Sequence, residues 1–156
     1  MLERFISDDR RRTMDWDSLT AGAPTVVALA RLAAESWIEP RREVGSLGLE
    51  ARAILFLAKD RGVIELRGSN DAFDSADRLL MVHVEVGADS VVVLKTPGNA
   101  RGTMRFLEGL RELCEAGLVV HHMQREFSLA ERGYSLASEM TRDGLETPLA
   151  SAHPLS

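Results

Sequence analysis

The sequence predicts an α+β fold in which N-terminal helices cover an antiparallel sheet and a helix–hairpin–helix unit follows. Three observations predict it. Pro24 to Ile38 and Ser46 to Gly62 carry helical spacing, and Val63 to Lys95 alternates as three strands broken by turns. From Asn99 a helical stripe runs to Gly117 and gives way to two short alternating runs. A chain of 156 residues with no long polar linker fits one domain. Within residues 1–156 the expected division is a polar arm at 1–16, a folded core at 24–140 and a flexible tail at 141–156.

The arm has its apolar cluster at Leu2, Phe5 and Ile6. In "PTVVALARLAAESWI", Pro24 suits a first helical turn and Pro40 helps to stop the helix. Val26, Ala30, Ala33 and Trp37 form one stripe, with Val27, Ala34 and Ile38 beside it. A helix this apolar all round needs cover on more than one side, within the subunit or from a second copy. In the second helix, Ser46 is the expected N-cap and Gly62 the stop. "VIELR" reads as a strand. In "RLLMVHVEV", Leu80, Val82, Val84 and Val86 point one way while Met81, His83 and Glu85 point the other. "GAD" turns the chain into "SVVVLK", completing a meander with one face under helices. The next helix lines up Phe106, Leu110, Leu113 and Gly117, widened by Leu107 and Cys114. "GLVVHH" and "EFSLA" are the strands of a hairpin, and "ERGYSLASEM" is a closing helix.

The segment with Leu110, Leu113, Glu115, Gly117, Leu118 and Val119, then Phe127, Leu129, Gly133 and Leu136, resembles the end of a winged-helix domain. The resemblance implies a recognition helix followed by its wing, with Leu118, Val120, Phe127 and Leu129 facing that helix. It differs from the family at Ala130, where a capping Thr or Ser is usual. The meander is also larger than the family's single extra strand, and "KTPGNARGT" leaves little room for a preceding short helix.

The function that the resemblance implies is transcription regulation through duplex DNA, with Arg101, Arg105, Arg111 and Arg125 as the DNA-binding residues. Charge argues the other way. The chain carries −5 overall, the stretch from Asn99 to Gly133 is neutral, and a solvated face of mixed charge is the plainer reading. Arg10 to Arg12 adjoin Asp8 and Asp9 and read as a soluble arm. The alternative is a protein-interaction or dimerisation subunit without nucleic-acid contact, and a homodimer through the Pro24–Ile38 helix is expected.

No enzyme is expected, and no cofactor or metal is implied. His83-x-Glu85 lacks the Pro-Cys-x-x-Cys partner of zinc deaminases. His121 and His122 are adjacent on a strand and point to opposite faces. A metal site built from His83, Glu85 and a later histidine needs those strands to be neighbours. The single cysteine, Cys114, excludes an internal disulfide and falls on an apolar helix face. No apolar run approaches the ~20 residues of a membrane span, so a cytoplasmic setting without membrane contact is expected.

Overall fold

The computed structural model describes residues 24–68 and 75–155, so the polar arm with Arg10 to Arg12 lies outside the described residues. Helix α1 spans Pro24–Ile38 and α2 spans Leu49–Ala58. The meander follows as β1 (Val63–Arg67), β2 (Met81–Gly87) and β3 (Ser90–Leu94). Helix α3 (Ala100–Glu115) leads into the hairpin of β4 (Val119–His121) and β5 (Glu126–Leu129), then α4 (Glu131–Ser138). Helix α5 (Glu146–Leu149) and β6 (Ala152–Pro154) come last. No described helix is long and apolar enough to cross a membrane.

The strands form one antiparallel sheet in the order β4-β5-β1-β2-β3-β6. The meander is therefore its centre. The hairpin joins through β5, where Ile64 lies opposite Phe127, and the end of the chain joins through β6, where Val93 lies opposite His153. Period-two alternation sends Ile64, Leu66, Val82, Val84, Leu94, Phe127 and Leu129 into one core with the helices. From α3 come Phe106, Leu110, Leu113 and Cys114, and from α2 come Ala51, Ile54, Leu55 and Ala58.

Four local expectations are corrected. The tail is ordered as α5 and β6, because Leu145 and Leu149 bury against Ala53 and because Lys95 N and Leu155 N donate to Ser151 O and Val91 O. The N-cap of α2 is Gly48. Ser46 lies in a preceding 3-10 turn, where its hydroxyl donates to Glu43 O. On β4 the buried strand residue is Val119, with Val120 half-buried, because Leu118 is spent in the turn out of α3. On α1 the inner stripe is Val26, Leu29, Ala33 and Ser36, which leaves Trp37 outside at 55% exposure. Helical period alone could not choose among so many apolar positions. Backbone proximity chose: Ser36 packs where only a small side chain fits.

That proximity centres on Gly117. It holds φ +69, the left-handed region that costs other residues energy, and ends α3 there. Leu118 N closes the turn by donating to Leu113 O at 3.1 Å. A β-carbon at Gly117 would fall well inside contact distance of the Ser36 carbonyl oxygen, and one at Gly133 would do the same to Leu118 O. Helices α1 and α4 thus press on the two ends of one two-residue corner. Gly117→Ala adds left-handed backbone strain and overpacking together, and is expected to cost about 2–4 kcal/mol. Urea denaturation of the variant beside the parent protein checks this.

Candidate nucleic-acid interface

Helix α3 lies over the sheet between α1 and α2, and its outer face is what a wing-and-helix unit would present. Its first turn is fixed by polar groups. Asn99 Oδ1 accepts from Gly102 N at 3.0 Å, and Thr103 Oγ1 accepts from Thr96 N at 3.0 Å. With Thr103 and Phe106 turned inward, the 3.6-residue period sends Arg101, Met104, Arg105, Glu108 and Arg111 outward.

The cations on this face differ in kind. Arg101 and Arg105 are exposed and have no ion-pair or hydrogen-bond partner among the described residues. Arg111 is exposed but spent: it reaches Glu108 at 2.8 Å and also pairs with Glu115. Glu115 takes Arg42 Nε at 2.9 Å as well, and Glu112 takes Arg42 Nη1 at 3.5 Å and Gly48 N at 3.3 Å. The carboxylates of the C-terminal half of α3 therefore tie it to the segment before α2. Any field from α3 that attracts an anion comes from its N-terminal half.

Arg125 stands apart. The hairpin turns at Gln124, with φ +51, and Met123 beside it is 72% exposed. Arg125 is half-buried, its carbonyl accepts from Leu66 N at 3.0 Å, and its Nε is buried without a hydrogen-bond partner. It is held at the sheet, one step inside the tip. The structure thus gathers Arg101, Arg105 and Arg111 on one helix face and leaves Arg125 on the ribbon.

Three of the histidines have structural partners. His121 donates through Nε2 to Gln124 O at 2.8 Å and meets the Phe127 ring edge-on at 5.0 Å. His122 Nε2 lies 2.7 Å from Ser128 Oγ, which itself donates to Leu129 O, so the imidazole is the donor. His83 stands opposite Glu65 and Val93 on the sheet, and its Nδ1 donates to Met81 O at 3.1 Å. It is buried, at 7% exposure. Strand β4, with His121, is separated from β2 by β5 and β1. Among the described residues no group of three or more His, Cys, Asp or Glu side chains is placed to hold a metal ion. Two features were not foreseen from the sequence: the Arg42 clasp, which joins residues far apart in the chain, and the Thr96–Thr103 bond.

Burial pushes the His83 imidazole below its usual value. The bond to Met81 O opposes this, Arg67 and Lys95 add to it, and Glu65 opposes it. The neutral ring is therefore the one that the fold favours. Its contribution is complete above the unfolded value near pH 6.5 and is lost as pH falls below it toward the folded value. His83→Gln should flatten the fall in urea midpoint between about pH 7 and pH 5, and titrated unfolding curves read this directly. Burial, with Glu115 nearby, pushes the Cys114 thiol up to about 12. Cys114 should thus resist a disulfide reagent in the native protein and react at once in denaturant, as absorbance of the released thiolate would record.

Compared with protein-family models, curated proteins and solved structures, the chain matches none of them.

Proposed function

We infer that the protein is a non-enzymatic regulatory module of winged-helix type that contacts duplex DNA with the N-terminal half of α3. One observation carries this reading: Arg101 and Arg105 stand on the outward face of the first two turns, with their charges unspent by any described residue. The order of elements supports it. A helix (α2), a strand (β1), a helix (α3) and a two-stranded ribbon follow in sequence, with β1 pairing to the second strand of the ribbon. The β2–β3 hairpin occupies the place where the family has its short middle helix. A first turn directed at DNA accepts cations despite the helix dipole, because it meets base edges and phosphates.

A second reading is a protein-interaction module without nucleic-acid contact. Glu108 on the same outward face, with Arg111 already neutralised beside it, favours that reading.

Fluorescence anisotropy of a labelled random duplex separates the two. The DNA reading expects binding at ~50 mM salt that weakens linearly with the logarithm of salt concentration. Arg101→Ala and Arg105→Ala should each make that slope shallower by about one counterion, whereas Arg111→Ala should leave it unchanged. Absence of binding at ~50 mM salt removes the DNA reading and leaves the protein-contact one.

A further inference from the structure

Helix α1 buries one face and leaves the other without a described partner. Val26, Leu29, Ala33 and Ser36 face the core. Val27 at 43%, Trp37 at 55% and Ile38 at 80% exposure lie outside, and Ala34 is exposed on the same side. At 100° per residue, Val27, Ala34 and Ile38 fall on one line with Arg31 alongside. Large apolar side chains thus stand at both ends of this exposed line, with the small Ala34 between them.

Charge indicates what covers it. Arg31 is exposed and has no ion-pair or hydrogen-bond partner among the described residues. Glu35, one turn on, does not turn back to it. It bonds Arg41 at 2.6 Å, with both side chains about half exposed. Arg31 preceding Glu35 at four residues is also the weaker order for a pair within one helix. Across a two-fold axis the same two residues become complementary.

We propose that α1 is the interface for a second copy of this chain, packed antiparallel about a two-fold axis that crosses the helix midway between Val27 and Ile38. That register sets Val27 of each copy beside Ile38 of the other. It brings each Arg31 within reach of the other copy's Glu35, and Ala34 lets the helix axes approach closely. A two-fold contact needs a self-complementary patch, and a cation and an anion placed symmetrically about the centre of an apolar stripe supply one. The interface holds under either reading of α3, since α1 and the outward face of α3 use different residues.

Sedimentation equilibrium of the full chain over a wide concentration range tests the proposal, with circular dichroism confirming that each variant is folded. The wild type is expected to be a dimer that dissociates on dilution. Arg31→Glu alone and Glu35→Arg alone should each raise the dissociation constant roughly tenfold or more. The doubly reversed protein, R31E with E35R, should regain most of the lost affinity. Ile38→Glu should give monomer. A wild type that is monomeric at every concentration overturns the proposal, whether residues 1–23 or another protein then cover the face. A dimer indifferent to Ile38→Glu and to the charge reversals also overturns it, because its contact lies elsewhere. Loss in both single variants without recovery in the double one rejects the antiparallel register.

Discussion

The corner at Gly117 is the constraint on which the remaining packing depends. A helix that buries Leu110, Leu113 and Cys114 must become a strand that buries Val119 within three residues, with the backbone of α1 already seated against the turn. A left-handed glycine satisfies the first demand by its torsion and the second by having no side chain. The contact is held by polar groups on both sides. Arg41 N donates to Glu115 O at 2.8 Å, and Arg132 donates to Trp37 O at 2.8 Å, so the end of α1 is fastened to α3 and to α4 at once. Ser36 Oγ is left buried without a partner as a cost of that proximity.

From this corner α3 divides into halves with different duties. The C-terminal half is constructional: Glu112 and Glu115 clasp Arg42, and Glu115 shares Arg111 with Glu108. Such partly exposed pairs contribute little individually, but a shared network fixes the approach of the segment before α2. The polar bonds of the N-terminal half are those of Asn99 and Thr103, internal to the loop and first turn, and Phe106 is its hold on the core. Its outward side chains carry no structural load. A helix whose counter-ions are committed at one end offers its charge at the other, which is why the net charge of the chain poorly describes the local surface.

Much of the fold was legible because its signals are local. Alternation over Leu80 to Val86 gave the correct inward set, and the stripe of Phe106, Leu110 and Leu113 gave the buried face of α3. What escaped was long-range. Trp37, which helical spacing sets on the stripe with Val26 and Ala33, lies outside, because α1 is apolar nearly all round and the deciding contact is with Gly117, some eighty residues on. The order at the end of the chain depends on pairing with β3, and a three-residue strand ending in Pro154 has almost no signature of its own. For the candidate site, residue type and spacing placed Arg101 and Arg105 on one helix face. Only side-chain partners distinguish them from Arg111, and only backbone pairing reveals that Arg125 belongs to the sheet.

The strand order has a consequence for how the protein is made. Both neighbours of the central meander, β5 and β6, come from later in the chain than the meander itself. A nascent chain that has emerged only as far as Lys95 would display β1 and β3 as two open margins, each with unmatched backbone donors and acceptors and with β-branched residues along it. Closure waits for about sixty more residues, or several seconds of synthesis. During that interval the half-made sheet is a template for association between chains, so the later-made β5 and β6 also remove its hazard.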